Sequence, residues 1–235
     1  MSGDPMAMTD VRIDAILLDL DGTLIDTAPD MGAALNALLA EYERPPLDYS
    51  AYRSSVSHGA KGLIRLGFGQ AFADLHFERL RHRFLQLYAQ DLCRETRVFD
   101  GFLPVLDVIE SRGMSWGIVT NKPAGLTEPL VEALGLMERA TCVVSGDTCA
   151  RSKPDPMSLL HAAGLVRQPP ERCVYVGDAE RDIRAAKAAG MRSLVASYGY
   201  LSEEDDPVAW RADGLVDHPG DILEWIDAWH SRSRS

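Results

Sequence analysis

Short apolar segments that alternate with helical patterns constrain this 235-residue chain more than any other feature. A strand that is buried on both faces has a short, continuous apolar sequence of this kind. Alternation of such strands with helices gives a parallel sheet with right-handed crossovers. The runs are Ile13–Asp19, Ser115–Thr120, Thr141–Ser145, Cys173–Gly177 and Ser193–Ala196, and the helical patterns between the later runs are Phe102–Arg112, Ala124–Leu134, Pro156–Ala163 and Glu180–Ala189. The pattern predicts an α/β fold with a doubly wound, Rossmann-like parallel sheet.

The interval between the first and second runs breaks this alternation. From Asp26 to about Arg97 the chain reads as helical, with apolar residues at helical spacing in Met31–Tyr42 and Leu75–Leu92. An insertion of roughly 70 helical residues directly after the first strand is too long for a crossover and predicts a second lobe. Because the insertion begins at the end of that strand, the lobe is expected to overhang the strand as a lid.

The chain therefore divides into two predicted domains. Residues 1–26 and 98–235 are expected to form the catalytic core, and residues 27–97 an all-helical cap. An amphipathic helix over Gly220–Trp229 is expected to close the core. The polar end, Ser231–Ser235, is expected to be disordered.

Composition and charge exclude several classes of function. The formal net charge of −11 leaves no general basic field, so nucleic acid is not an expected partner. The cysteines, which are Cys93, Cys142, Cys149 and Cys173, show neither a CxxC pair nor zinc-site spacing and indicate reduced structural thiols. Met1–Asp14 lacks the apolar segment of a signal peptide, and no stretch approaches the ~18 to 20 apolar residues of a membrane span. We expect a cytoplasmic protein without a membrane partner.

Two carboxylates stand where the first apolar run ends, in the string Asp19-Leu20-Asp21-Gly22. Side chains two residues apart at the end of a strand point the same way, so Asp19 and Asp21 can face one site. Gly22 permits a sharp turn that brings backbone N–H groups towards an anion. One carboxylate can then attack phosphorus while the other transfers a proton. The alternative is a plain strand-to-turn exit, for which Asp-Gly is a common signal.

Polar residues also follow two later apolar segments. Thr120 and Asn121 precede Pro123 at the start of a helix, where a hydroxyl and free N–H groups are suitable phosphate ligands. In isolation the same residues indicate only a helix cap. Lys153 precedes Pro154, which keeps it out of helical geometry, but a single lysine is usually a solvated surface residue.

Asp178 and Asp182 follow the apolar run Cys173–Gly177. Ligands of doubly wound sheets bind outside the carboxyl ends of the strands, so Asp178 and Asp19 can meet there from different strands. Two carboxylates with waters are the usual protein contribution to a Mg²⁺ site. The alternative for Asp182 is that it only places negative charge at the start of the next helix.

Together these motifs, in this order, make the chain resemble the haloacid dehalogenase superfamily, specifically its phosphatases with a helical cap inserted after the first motif. The resemblance extends from about Ile13 to Trp225. It implies that Asp19 is the nucleophile and Asp21 the general acid and base.

The resemblance also implies a Mg²⁺ site and a phosphoryl site. The implied metal ligands are Asp19, Asp178 and the backbone carbonyl of Asp21, and Asp182 is implied to support the metal site from outside the ligand shell. The implied phosphoryl ligands are Thr120, Asn121 and Lys153.

The second acid, Asp21, narrows the expected reaction. Dehalogenases and phosphonatases of this superfamily lack a carboxylate at that position, so its presence favours a phosphoric monoester hydrolase. Two alternatives stay open. A sugar phosphomutase would use the same pair of carboxylates, and a binding protein on an inactive enzyme fold is disfavoured because every catalytic position is filled.

The C-terminal part is similar to the N-acetylmuramic acid 6-phosphate phosphatases of peptidoglycan recycling, in segments that include Tyr198-Gly199-Tyr200 and Val216-Asp217-His218-Pro219. We expect that small-molecule phosphate ester to be the substrate, with 2-phosphoglycolate as the alternative. His58 and Lys61 are expected to contact the substrate from the cap, unless Ser57–Lys61 is an ordinary polar loop. The protein is expected to be a monomer or a homodimer.

Overall fold

A parallel sheet forms the centre of the molecule in the computed structural model, which describes residues 12–232. Its strands are β1 (Ala15–Leu18), β4 (Ser115–Val119), β5 (Cys142–Val144), β6 (Cys173–Gly177), β7 (Arg192–Ala196) and β8 (Gly214–Val216), and a separate antiparallel pair is formed by β2 (Ile25–Asp26) and β3 (Arg97–Val98). The order in the sheet is β5-β4-β1-β6-β7-β8, with every pair parallel. The predicted doubly wound α/β fold is confirmed.

Helices cover both faces of the sheet and make up most of the segment between β2 and β3. The α-helices of the described chain are α1 (Ala28–Ala40), α2 (Tyr49–Tyr52), α3 (Gly59–Phe68), α4 (Gln70–Leu75), α5 (Phe77–Gln90), α6 (Phe102–Ser111), α7 (Ala124–Ala133), α8 (Met157–Leu165), α9 (Glu180–Ala189) and α10 (Asp221–Arg232). Short 3₁₀ segments lie at Arg53–His58 and Pro170–Arg172. Among the helices within residues 12–232, none is both long and apolar enough to cross a membrane.

Strand β1 lies in the middle of the sheet because its side chains are apolar on both faces. Ile16 and Leu18 pack into a cluster with α6, α7 and α10, whereas Ala15 and Leu17 face α8 and α9. All four side chains are fully buried. A central parallel strand is covered on both sides in this way, and the burial sets the register that places Asp19 at the carboxyl edge.

The structure differs from the sequence-based prediction at the C-terminal end. Strand β8 lies outside the apolar runs that predicted the other strands of the sheet, but it pairs with β7 through Leu194 and Gly214. Helix α10 continues beyond Trp229, which packs in the core, so the expectation of disorder over Ser231–Ser235 is wrong for the first two residues. The remaining three, like residues 1–11, lie outside the described residues.

The helices between β2 and β3 have an apolar cluster largely of their own. Leu35 and Leu38 of α1 pack there with Leu63 of α3 and Phe84 of α5. The pairing of Ile25–Asp26 with Arg97–Val98 brings together the points where the chain enters and leaves this segment. The division into a core and a cap at residues 27–97 stays a prediction, and these contacts support it.

Candidate active site

Three neighbouring strands bring polar side chains to one edge of the sheet. Asp19 follows β1, Thr120 follows β4 and Asp178 follows β6, and these strands are adjacent in the order β4-β1-β6. The Asp19 N–H continues the sheet ladder by donating to the Val176 carbonyl at 2.9 Å. All three polar side chains are buried. The structure thus brings together residues that the sequence reasoning had assigned to one site.

Lys153 reaches into this cluster from the segment before α8. Its ammonium nitrogen lies 2.9 Å from Asp19 Oδ1 and 2.8 Å from Asp182 Oδ1. It also donates to the Val119 carbonyl at 2.9 Å and to the Tyr175 hydroxyl at 2.6 Å. The Lys153 side chain is fully buried, so these contacts hold its position without solvent. The alternative interpretation, that Lys153 is a solvated surface residue, is wrong.

Asp19, Asp178 and Asp182 form a compact acidic trio, with one carboxylate oxygen of each lying within 4.8 Å of the others. Burial raises the pKa of Asp19 to about 7, against the attraction of Lys153 and reinforced by the negative charges of Asp182 and Asp178. Burial also raises the pKa of Asp178 to about 6, reinforced by the charge of Asp182. Burial therefore disfavours the ionised forms of Asp19 and Asp178, and nearby positive charge favours them.

The trio has the chemistry of a divalent-cation site. Asp178 Oδ2 accepts hydrogen bonds from Ser57 Oγ at 2.7 Å and from the Tyr200 N–H at 2.9 Å. Its other oxygen, Oδ1, is buried and has no hydrogen-bond partner within residues 12–232. A buried set of carboxylate oxygens with an unpartnered acceptor suits a hard cation. The Asp182 carboxylate also lies in this trio, and its supporting role outside the ligand shell stays a prediction.

Gly22 is required by the way the turn after β1 packs. Its φ of +82° lies in the left-handed region, and an added Cβ would collide with the Asp178 carboxylate and lie 2.8 Å from Tyr200 Cδ2. The absence of a side chain therefore lets the turn that carries Asp21 lie directly against Asp178.

Asp21 faces a different set of partners from Asp19. Its Oδ1 accepts a hydrogen bond from Thr27 Oγ1 at 2.7 Å and forms an ion pair with Lys122 Nζ at 2.8 Å. The Lys122 nitrogen also lies 4.7 Å from the centre of the Tyr88 ring, which α5 contributes. Lys122 is not among the site residues predicted from the sequence, because no local pattern connects it to Asp21.

Thr120 and Asn121 have unequal freedom to bind a ligand. The Thr120 hydroxyl oxygen accepts the Lys122 N–H at 3.1 Å and lies beside the cavity. The Asn121 amide is paired with the backbone of Lys153, donating to its carbonyl at 2.9 Å and accepting its N–H at 3.0 Å. The Asn121 side chain therefore fixes the segment that carries Lys153, and its direct role in phosphate binding stays a prediction.

A cavity of about 620 Å³ lies between this edge of the sheet and the helices of residues 27–97. His58 and Lys61 both line it, so the structure brings these two predicted residues to the site. His58 is the last residue of a 3₁₀ segment and Lys61 lies in the first turn of α3, so neither lies in a loop. The lining residues that carry chemistry are Asp19, Asp21, Ser57, His58, Lys61, Arg65, Arg81, Thr120, Asn121, Lys122 and Arg181.

Four hydrogen bonds that join the segment 27–97 to the rest of the molecule were not predicted from the sequence. Ser57 donates to Asp178, as described, and its own carbonyl accepts a hydrogen bond from Arg181 at 2.6 Å. Arg53 donates to the carbonyls of Gly199 and Tyr198 at 2.7 and 2.9 Å. These partners are more than 100 residues apart in the chain, so no local spacing could reveal them.

Comparison with known proteins gives concordant results. The haloacid dehalogenase-like hydrolase family model matches residues 13–190. An N-acetylmuramic acid 6-phosphate phosphatase from Pseudomonas aeruginosa is 40% identical over 94% of this chain and 97% of its own length. A phosphoglycolate phosphatase from Xanthomonas campestris pv. campestris is 43% identical over 89% of this chain and 95% of its own length.

A similar solved structure is that of a predicted phosphoglycolate phosphatase from Haemophilus somnus. It is 25% identical, covers 93% of this chain and 99% of its own, and superposes with a TM-score of 0.79. The family match and the phosphatase relatives confirm the prediction of a phosphoric monoester hydrolase. With the family model covering most of the sequence and relatives of about 40% identity covering nearly all of it, this chain belongs to the haloacid dehalogenase-like hydrolases.

Proposed function

We propose that the protein hydrolyses a small phosphate monoester through a phospho-aspartate intermediate on Asp19. The observation that carries this proposal is the position of Asp19 at the end of β1. There it lies 2.9 Å from the buried Lys153 ammonium and lines a cavity of about 620 Å³. A buried carboxylate beside a fixed cation is suited to attack an anionic phosphoryl group, since phosphoryl transfer depends on positioning and on neutralising spread negative charge.

In the first step, an Asp19 carboxylate oxygen bonds to phosphorus as the bond to the ester oxygen breaks. Asp21 gives its proton to the departing alcohol oxygen, while Thr120 and Lys153 hold the phosphoryl oxygens. In the second step, Asp21 takes a proton from water, the water oxygen attacks phosphorus, and the bond to Asp19 breaks to release phosphate. The ion pair of Lys122 with Asp21, at 2.8 Å, orients the acid for both steps.

We propose Mg²⁺ as the cofactor, held by Asp19 and Asp178 with the backbone carbonyl of Asp21 and supported by Asp182. The unpartnered oxygen of Asp178 and the all-oxygen donor set support this choice. When bound, the cation would neutralise charge on the phosphoryl group and on the carboxylates.

We propose N-acetylmuramic acid 6-phosphate as the substrate. The relative of that name is 40% identical over 94% of this chain. The cavity joins cationic side chains to an apolar sector that includes Phe77, Phe84 and Leu85. Such a lining suits an amino-sugar phosphate that carries both a carboxylate and apolar methyl groups.

The second candidate substrate is 2-phosphoglycolate. It is supported by the Xanthomonas relative of that name, at 43% identity over 89% of this chain. A sugar phosphomutase and a non-catalytic binding protein are less well supported than a phosphatase. We further propose that the enzyme acts in the cytoplasm, on small molecules rather than nucleic acid or membranes, as a monomer or homodimer.

A phosphate-release screen with Mg²⁺ tests these proposals. It compares N-acetylmuramic acid 6-phosphate, 2-phosphoglycolate and glucose 1-phosphate. The muramic ester should give the highest kcat/KM. A preference for phosphoglycolate of ~100-fold, about 2.7 kcal/mol of transition-state discrimination, would favour the second candidate. Conversion of glucose 1-phosphate to an isomer, without free phosphate, would indicate a mutase.

Replacement of the nucleophile tests the mechanism itself. Asp19→Asn should abolish phosphate release and prevent labelling of the protein by substrate phosphate. The matched control is Asp107→Asn, because the side chain of Asp107 is 69% exposed and lies outside the cavity lining. If Asp19→Asn and Asp107→Asn release phosphate equally, the proposed mechanism is wrong, and absence of activity in the unaltered protein would indicate a binding role.

A further inference from the structure

More cationic than acidic side chains line the cavity. Its cationic lining residues are Lys61, Arg65, Arg81, Lys122 and Arg181, whereas the carboxylates on the same lining are Asp19 and Asp21. In a chain of net charge −11, this concentration of cations is local to the site. A ligand with more than one anionic group fits such a lining.

Three of these cations already have protein partners. Arg65 lies 2.7 Å from Asp74, Lys122 lies 2.8 Å from Asp21, and Arg181 donates to the Ser57 carbonyl at 2.6 Å. Lys61 and Arg81 differ, because neither side chain makes a hydrogen bond or an ion pair with any residue between 12 and 232. Arg81 is also partly buried, so part of its hydration is lost without compensation from the protein.

Arg81 stands within an apolar stripe of α5. Phe77, Phe84 and Leu85 lie four before, three after and four after it in sequence, which places them on the same helical face, and all three line the cavity. Lys61 lines the cavity from α3, a helix that packs against α5. An arginine in an apolar surround is well suited to bind a carboxylate through two parallel N–H···O bonds.

We propose that Arg81, assisted by Lys61, binds the carboxylate of the substrate and so makes the enzyme selective for phosphate esters that carry one. This subsite rests on the proposed phosphatase function and deepens it, because it assigns a second anionic recognition point on the cap. Asp19 and Lys153 act on the phosphoryl group, whereas Arg81 and Lys61 act on a group that does not react. The flanking phenylalanines cover the apolar atoms next to the carboxylate.

The test compares two esters that differ mainly by the carboxylate-bearing lactyl ether. N-acetylmuramic acid 6-phosphate carries it, and N-acetylglucosamine 6-phosphate lacks it. The unaltered enzyme should favour the first ester in kcat/KM, and Arg81→Ala should lower that ratio by about 10- to 100-fold, the range of a lost charge-assisted contact. Lys61→Ala should lower it by a smaller factor. The control is Arg79→Ala on the same helix, because Arg79 contacts Tyr42 and does not line the cavity.

Each outcome bears on a distinct statement. If the unaltered enzyme releases phosphate from neither ester nor from phosphoglycolate, the proposed function fails. If it is active but shows no preference between the two sugar esters, or if Arg81→Ala retains the original ratio, only the carboxylate subsite is overturned. Arg81→Gln keeps most of the side-chain volume and replaces Arg81→Ala if thermal melting shows that the alanine variant is unfolded.

Direct binding provides a second readout that does not require turnover. In an Asp19→Asn background, titration calorimetry with N-acetylmuramic acid 6-phosphate should show weaker binding when Arg81 is also changed to Gln. Binding of inorganic phosphate should be affected much less, since phosphate has no carboxylate. Equal weakening for both ligands would assign Arg81 to the phosphoryl group and overturn the proposal.

Discussion

Lys153 Nζ lies 2.9 Å from Asp19 Oδ1, and both residues are almost fully buried. The same ammonium lies 2.8 Å from Asp182 Oδ1, so one buried lysine serves two carboxylates. Removing one partner of a buried charge group is strongly unfavourable, because the remaining charge has no solvent to compensate it. The lysine is therefore expected to stabilise the fold as well as to bind the phosphoryl group.

Lys153→Met should lower the free energy of unfolding by about 3 to 5 kcal/mol in metal-free protein at pH 8, because it leaves two buried carboxylates without their cation. Urea denaturation measures this loss. Lys187→Met is the control, since Lys187 Nζ contributes one hydrogen bond, to the Trp210 carbonyl, and should cost at most about 1.5 kcal/mol. Equal stability of the two variants would contradict the structural role of Lys153.

The stability of the metal-free protein should fall as pH rises from about 4 to about 7. The pKa of Asp19 is raised to about 7 and that of Asp178 to about 6, from an ordinary value of 3.8, mainly by burial. In this window the folded protein holds protons that the unfolded chain has released, so the stabilisation present at low pH is lost as pH rises. Thermal melting at several pH values, compared with Asp19→Asn, isolates this contribution.

Added Mg²⁺ should raise the melting temperature more at pH 8 than at pH 5, because the cation binds ionised carboxylates and competes with their protons. Chelation by EDTA should reverse the shift. An increase in melting temperature that does not depend on pH would contradict binding of the cation to the acidic trio. An increase that persists unchanged in Asp178→Asn would contradict it as well.

Asp21→Asn should slow the cleavage of esters with poor leaving groups much more than that of esters with good leaving groups. A sugar phosphate needs a proton on its leaving oxygen, so its turnover should fall by roughly 10²- to 10⁴-fold. Nitrophenolate leaves without a proton, so p-nitrophenyl phosphate should still phosphorylate Asp19 and give a burst followed by slow hydrolysis. Rapid-mixing absorbance and intact-protein mass spectrometry measure the burst and the trapped phosphoenzyme. The absence of both would argue against Asp21 as the proton donor.

Tyr200→Phe should destabilise the junction between the core and the inserted helices. The Tyr200 hydroxyl accepts the N–H groups of Thr27 at 2.7 Å and Ala28 at 3.0 Å, and it donates to Asp26 at 2.7 Å. Its loss leaves the buried Thr27 N–H without this acceptor, whereas the Ala28 N–H keeps its bond to Asp26 Oδ1 at 3.1 Å. The change should cost about 1 to 3 kcal/mol in urea denaturation.

Tyr198→Phe is the matched control for this prediction. The Tyr198 hydroxyl makes a single hydrogen bond, to the Thr23 carbonyl at 3.0 Å, so its loss should cost about 1 kcal/mol or less. Hydrogen exchange at the start of α1 should increase in Tyr200→Phe only. Equal exchange in the two variants would contradict a specific role of Tyr200 at this junction.

Local patterns were sufficient to predict the centre of the sheet and the acidic residues at its edge. Strands β1 and β6 are fully buried, so their sequences are continuous apolar runs that end at Asp19 and at Asp178. Strand β8 was missed because it is a three-residue edge strand whose middle residue, Leu215, is exposed. Short edge strands carry little of the apolar pattern that identifies a strand.

The contacts that complete the site could not be predicted in the same way. Lys122 meets Asp21, and Ser57 meets Asp178, across 101 and 121 residues of sequence. The first contact depends on the pairing of β1 with β4, and the second on how the helical segment docks on the sheet. No short window of sequence encodes either arrangement. Arg81 likewise resembles a surface residue of an amphipathic helix until the cavity beside it is seen.

The antiparallel pair of β2 and β3 also affects how proteins of this fold can acquire different helical inserts. Ile25 is opposite Val98 and Asp26 is opposite Arg97, so the helical insert starts and finishes at a single paired point. An insert of another length or composition can therefore start and finish at the same point, provided that it keeps the contacts of Thr27 with Asp21 and of Ser57 with Asp178. The pair of β2 and β3 is thus the point at which a different helical segment, with other side chains facing the cavity, can be joined to the same edge of the sheet.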